Sequence, residues 1–215
     1  WLIVVFILFF FFFFKQKTAY EISAWLEFRR VLFRSGDLVS SGFSLTPNEE
    51  DAEVIIINTC GFIESAKKES IDTILGMARH KTEGKCKQLI VTGCLAERYG
   101  QELLDEIPEI DHLLGVGQYP QLKNIIADTD PISKNHVATP AEFYESYTDR
   151  LLTTAFYTAY LKISEGCSNR CAFCIIPKMR GPMRSRSPES ILAEAEHLAR
   201  KGVKEFNLIS QDTTM

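Results

Sequence analysis

Two unbroken runs of aliphatic residues, Val54-Ile-Ile-Ile-Asn58 and Gln88-Leu-Ile-Val-Thr92, limit what this chain can fold into. A strand with one wet face alternates polar and apolar residues. These runs do not alternate, so both of their faces are covered, as in a parallel sheet flanked by helices. Between them the spacing predicts a helix over 62–80, with Ile63, Ala66, Ile71, Ile74, Leu75 and Ala78 on its apolar face. A second helix is predicted over 95–107 with Pro108 at its end, then a short strand over 112–115 and a last helix over 118–127. Strand alternating with helix is the pattern of an α/β domain with a parallel sheet, placed here at 36–127.

Residues 128–157 lack clean periodicity, contain Pro131 and Pro140, and read as a linker. A second α/β unit occupies 158–215. Its strand over 160–163 leads into a cysteine-rich loop. Ser187-Pro188-Glu189 then opens a helix, with Ser as N-cap, Pro in the first turn and Glu at the positive end of the dipole. That helix is expected to run to Lys201 and stop at Gly202, before a strand over 203–209. One β-α-β unit cannot bury its own faces, so this second domain is expected to be truncated.

Residues 1–35 differ from the rest. Trp1 to Phe14 is wholly apolar and ends in six phenylalanines; basic residues follow it, and position 1 is not Met. Fourteen residues are short for a membrane span, which needs about 20. A signal peptide would carry its basic residues first. The stretch from Phe9 to Ser35 reads as translated sequencing-adaptor sequence, so 1–35 is treated as a non-native leader outside the fold; a membrane anchor is the alternative. The leader holds five basic and two acidic residues, which leaves 19 basic and 26 acidic, a net charge of −7, in the remainder. An acidic body is poorly suited to generic nucleic-acid binding.

The chemistry is concentrated in the cysteines. Cys167, Cys171 and Cys174 stand at Cys-x3-Cys-x2-Cys spacing after a predicted strand, where parallel sheets place their sites. Three thiolates are one short of a closed zinc site or a fully ligated iron–sulfur cube. They suit a cluster with one open iron, or a zinc knuckle completed by a distant residue. The nearest downstream histidine, His197, lies mid-helix and off ligand spacing. Six cysteines in a long, core-rich chain suit metal ligation in a reducing compartment better than a disulfide framework. Cys60 and Cys94 each follow a predicted parallel strand, so the two can meet at one sheet edge, and the small neighbours Gly61 and Gly93 permit close backbone approach. They are either ligands or ordinary buried thiols, and their spacing leaves both readings open. Cys86 precedes its strand and reads as a structural thiol. Lys178, Arg180, Arg184 and Arg186 form either a solvated basic loop or a carboxylate clamp.

The stretch Gly166-Cys-Ser-Asn-Arg-Cys-Ala-Phe-Cys-Ile-Ile-Pro-Lys-Met-Arg-Gly181, with Phe173 before the last cysteine, resembles the radical S-adenosylmethionine enzymes, and among them the methylthiotransferases. Arg170, Met179-Arg180 and Ser210-Gln211-Asp212 resemble the RimO branch, which modifies an aspartate of a small-subunit ribosomal protein. The sister branch, MiaB-like, modifies an adenosine of transfer RNA. Asn58-Thr59-Cys60-Gly-Phe-Ile-Glu-Ser-Ala66 and Thr92-Gly93-Cys94-Leu95 resemble the family's N-terminal domain. The resemblance covers nearly all of 36–215.

It implies a flavodoxin- or Rossmann-like N-terminal domain followed by the start of a radical SAM (β/α) barrel. It implies two four-iron (4Fe-4S) clusters. One, on Cys167, Cys171 and Cys174, has an open iron that binds S-adenosylmethionine and yields an adenosyl radical. The other, on Cys60, Cys94 and a third cysteine missing from this sequence, supplies sulfur, and a second S-adenosylmethionine supplies methyl. Arg180 and Arg184 are then cofactor-binding residues. The implied partners are the ribosomal protein and a one-electron donor protein in the cytoplasm, without a membrane, and nucleic acid only through a C-terminal module beyond this sequence. Lacking that cysteine and most of the barrel, this chain is expected to be inactive alone. A non-catalytic zinc or cluster module is the remaining alternative.

Overall fold

Strands Val54–Thr59 (β3) and Gln88–Gly93 (β4) pair in parallel from Val54 opposite Gln88 to Thr59 opposite Gly93. In this computed structural model, residues 3–8, 38–127, 133–138 and 156–214 are described. All six residues of β3 are buried, as its unbroken aliphatic run requires. One layer, made by helices α1 (Glu64–Ala78) and α3 (Cys94–Glu106), covers Ile55, Ile57, Leu89 and Val91. The other face, Val54, Ile56 and Ile90, packs with Leu38 and helix α4 (Leu122–Ala127). The short helix α2 (His80–Glu83) follows α1.

The sheet has six parallel strands in the order β2-β1-β3-β4-β5-β6. The further strands are Ile3–Leu8 (β1), Ser44–Leu45 (β2), His112–Leu114 (β5) and Asn135–His136 (β6). The central order 2-1-3-4-5 is the flavodoxin-like one, whose ligand site lies at the carboxyl ends of the strands where the order reverses, between β1 and β3.

Two elements differ from expectation. Residues 1–35 were expected to stand outside the fold, yet Ile3–Leu8 lies between β2 and β3, with Val4 opposite Val54 and Leu8 opposite Asn58. Its composition is no bar to strand formation: a continuous apolar run suits a strand covered on both faces. The linker also contributes β6, which pairs with β5 through Leu113–Asn135 and Leu114–His136.

Beyond the linker, β7 (Thr158–Lys162) pairs in parallel with β10 (Glu205–Ile209). Helix α6 (Pro188–Arg200) connects them. Its start follows the sequence signal: the Ser187 hydroxyl accepts from the Ser190 N–H at 3.3 Å, with Pro188 in the first turn. The cysteine loop and helix α5 (Ile176–Arg180) lie between two short antiparallel strands, β8 (Ser164–Glu165) and β9 (Arg184–Ser185). No helix among the described residues is long and apolar enough to cross a membrane.

Candidate metal centre

Cys60 and Cys94 are the residues that directly follow the last paired couple of β3 and β4, Thr59 and Gly93. They therefore lie side by side at the carboxyl edge. Gly93 makes this edge possible. Its φ is +103°, and a Cβ there would stand 2.4 Å from the Thr59 carbonyl oxygen. The Thr59 hydroxyl donates to the Thr92 carbonyl at 2.6 Å and ties the strand ends together. Ser70 holds Cys60: its buried hydroxyl accepts from the Cys60 N–H at 3.2 Å and donates to the Cys60 carbonyl at 3.1 Å. Cys94, 3% exposed, opens α3. Strand β1 ends at the same edge, and the residues that follow Leu8 in the sequence are phenylalanines, not cysteine.

Cys86 sits apart, buried in the core with Ala52, Ile55 and Leu89. Its thiol donates to the Gln88 carbonyl, and burial pushes its pKa above the ordinary value.

The cysteine trio occupies the loop after β8, and three consecutive residues just after β10 hold that loop and its entry. The Ser210 and Ser164 hydroxyls share a hydrogen bond. Gln211 Oε1 accepts from the Gly166 N–H at 3.0 Å, and Asp212 Oδ2 accepts from Asn169 Nδ2 at 2.6 Å. Gly166 has φ +79°, and a Cβ would stand 2.3 Å from the Pro182 carbonyl oxygen. Hydrogen bonds from Thr214 above all, and then from Asn169, hold the Asp212 carboxyl below its ordinary pKa. Within the loop Cys167 is buried, Cys174 half-buried and Cys171 exposed, and the Cys174 N–H donates to the Cys171 carbonyl at 3.1 Å.

Among the described residues no three His, Cys, Asp or Glu side chains converge closely enough for a single metal ion. The trio is thus gathered on one loop but not drawn onto one point. In an iron–sulfur cube each cysteine binds a different iron. A further feature fits such an occupant: Gln211 Nε2 is buried and has no acceptor among the described residues.

The four loop cations separate into two kinds. Arg186 is structural: its guanidinium donates to Glu194 at 2.5 Å, to the Lys162 carbonyl at 2.8 Å and to Ser190. Lys178 is exposed. Arg180, expected to hold a cofactor carboxylate, is 3% exposed and already holds a carboxylate of this chain: Nη1 donates to Glu165 Oε1 at 3.1 Å. Lys162 pairs with the other Glu165 oxygen. Arg180 Nη2 donates to Cys94 Sγ at 3.3 Å. Arg184, half-buried, donates through Nη2 to the Arg180 carbonyl at 3.1 Å.

The Arg180–Cys94 contact joins the two halves. Met179 packs with Cys94 and Val116, and Phe62 and Ile175 close the cluster. The edge that carries Cys60 and Cys94 thus lies against the helix that follows the cysteine trio. Ser70 and Glu165 were missed from sequence. Ser70 is one polar residue among several in an amphipathic helix, and Glu165 lies in a strand-to-loop stretch, where its three-residue spacing from Lys162 carries no pairing signal. In the sequence Gln211 carries a signal only as part of the Ser210-Gln211-Asp212 resemblance.

Both halves of the chain resemble known proteins. Residues 33–115 match the family described as "Uncharacterized protein family UPF0004", and residues 161–215 match the radical SAM superfamily. The chain is 48% identical over 180 residues to "Ribosomal protein uS12 methylthiotransferase RimO" of Pelotomaculum thermopropionicum, covering 83% of this chain and 40% of the relative. Proteins of the same name from Desulforamulus reducens and Myxococcus xanthus are 52% and 49% identical, over 83% of this chain and 41% and 37% of theirs. With the two family regions in this order and such relatives across both, the chain is RimO-like, a relative of the radical S-adenosylmethionine methylthiotransferases that spans about 40% of their length.

Proposed function

We propose that this chain is part of a radical S-adenosylmethionine methylthiotransferase that places a methylthio group on the β-carbon of an aspartate in ribosomal protein uS12. The observation that carries the reading is the cysteine trio on the loop after β8, just beyond the parallel strand β7, with Cys94 of the second pair brought against the following helix through Arg180. Cys167, Cys171 and Cys174 would hold a four-iron cluster with one open iron. Cys60 and Cys94 would contribute to a second cluster.

When bound, a reduced cluster of this kind supplies the electron that cleaves a carbon–sulfur bond of S-adenosylmethionine. The protein supplies position. The Ser210-Gln211-Asp212 stretch just after β10 fixes the loop that carries the trio and its entry. Buried Arg180 holds the two cysteine sets in register. Of the two arginines expected to bind the cofactor, we assign Arg184, half-buried beside the loop, to an incoming carboxylate; bidentate Arg–carboxylate pairing suits either the cofactor's methionine end or a substrate aspartate. The electron donor would be a separate protein, and the compartment the reducing cytoplasm.

The test is anaerobic reconstitution of the intact enzyme carrying this sequence, followed by assay with uS12 and, separately, with transfer RNA. Methylthiolated aspartate on uS12 is expected. Modification of the RNA alone, or stoichiometric zinc without iron and sulfide, overturns the proposal.

A further inference from the structure

We infer that Gln211 is a positioning residue of the cysteine trio, whose side-chain N–H donates to an anionic acceptor of the group that Cys167, Cys171 and Cys174 bind. This rests on the cluster reading above and goes beyond it by assigning a residue and an interaction.

The orientation of the amide is fixed by its partner. Gly166 offers an N–H, so the atom facing it must be the carbonyl oxygen, which accepts at 3.0 Å. The other end, Nε2, is therefore a donor. It is buried, and no described residue accepts from it. A buried donor without an acceptor is costly, and where a native structure keeps one, a water, an ion or a bound group completes it. Two neighbouring contacts make the placement rigid. Ser210 is tied to Ser164 of β8, and Asp212 accepts from Asn169 of the loop, so Gln211 is held on both sides by bonds that flank Gly166. Gly166 has no room for a side chain, so the backbone of the loop and the Gln211 amide meet directly. The residue after Gly166 is Cys167, the most buried of the three thiols. One amide thus sets the backbone that presents Cys167 and points a donor into the same buried region. The acceptor is electron-rich. It is either a sulfur of the cluster or a carboxylate oxygen of S-adenosylmethionine.

The experiment uses the full chain, reconstituted anaerobically with ferrous iron and sulfide, as wild type, Gln211→Leu and Gln211→Glu. Leu removes both functions of the amide at similar size, whereas Glu keeps the oxygen for Gly166 and removes the donor. Hydrogen exchange of the Gly166 amide is read in the metal-free proteins, and the electron paramagnetic resonance signal and midpoint potential in the reconstituted ones, with and without S-adenosylmethionine. The Leu variant is expected to lose Gly166 protection by about tenfold, the size of one net hydrogen bond, while Glu retains it. A lower potential in both variants without S-adenosylmethionine supports a cluster sulfur as the acceptor, since hydrogen bonds to sulfur raise cluster potentials. An unchanged cluster with about tenfold weaker S-adenosylmethionine binding supports the carboxylate. Unchanged signal, potential and binding in the Glu variant overturn the inference, even where the Leu variant fails to fold. A wild-type chain that forms no cluster overturns the cluster reading itself, and this inference with it.

Discussion

Arg180 Nη2 donates to Cys94 Sγ at 3.3 Å across 86 positions of sequence, while Nη1 of the same guanidinium holds Glu165. One planar fork thus joins the end of the parallel sheet to the strand that leads into the cysteine trio. Its two partners need two donors in a fixed geometry, which a lysine ammonium does not reproduce. Replacing Arg180 by Met removes one cationic partner of buried Glu165, which keeps its ion pair with Lys162, and unlocks Cys94. The expected loss in denaturant unfolding is about 3 kcal/mol, the low end for removing one partner of a buried ion pair. Alkylation of Cys94, followed by peptide mass spectrometry, should accelerate in Arg180→Met and in Arg180→Lys, with Cys86 unchanged in the Lys variant. Unchanged Cys94 protection in both variants would contradict this role.

Ser70 acts on the other cysteine of the edge. Its hydroxyl both accepts from and donates to the backbone of Cys60, so Ser70→Ala leaves a backbone N–H and a carbonyl without that partner. A destabilisation of about 1–2 kcal/mol is expected. Ser70→Thr keeps the hydroxyl and should recover most of it if the added methyl is accommodated. Thermal unfolding of the three proteins checks this.

Much of the fold was legible because its signals are local. The runs at 54–58 and 88–92 could be placed as buried strands from composition alone. The cap at Ser187 and the stop at Gly202, with φ +97°, needed only their neighbours. The edge position of Cys60 and Cys94 followed from their places after parallel strands. What escaped were contacts between distant residues. Nothing near Arg180 in the sequence says that its guanidinium turns inward to Glu165 and Cys94 rather than outward to a ligand. Strand β6 is two residues long in a stretch without periodicity, and only the waiting edge of β5 makes it a strand. Ile3–Leu8 was set aside because its composition looked foreign, yet sheet pairing responds to apolar character and not to origin.

That short edge strand titrates. Burial lowers the pKa of His136 below its ordinary 6.5, against a weaker opposing hydrogen bond at the Ser133 backbone, and its Nε2 lies 3.3 Å from His112 Nδ1. The folded state therefore binds the proton more weakly than the unfolded one. The stabilisation from neutral His136 is present above pH 6.5 and lost as pH falls through the lower folded value. Stability should decline with acidification below 6.5, and the decline should be shallower in His136→Gln. The His136 ring signals in NMR should titrate below 6.5. A titration midpoint above that value would reverse the sign.

The thiols should divide by environment when alkylated in the metal-free chain. Cys171 is exposed and Cys86 is 6% exposed among aliphatic side chains. The thiolate is the reactive form, and burial raises the Cys86 pKa above its ordinary 9.0, so Cys86 is both shielded and held protonated. Cys171 should label first, and Cys86 and Cys94 last. Cys86→Ala should cost about 1–2 kcal/mol through the small cavity it leaves, without altering the labelling order of the others. The same shift has a consequence at alkaline pH. The folded state keeps the Cys86 proton longer than the unfolded chain does, so this contribution is complete below pH 9.0 and falls as pH rises through the folded value. Unfolding midpoints should therefore drop above pH 9.0 in the wild type and drop less in Cys86→Ala. Early labelling of Cys86 in the native protein would show that the core around β3 and β4 opens more readily than its packing implies.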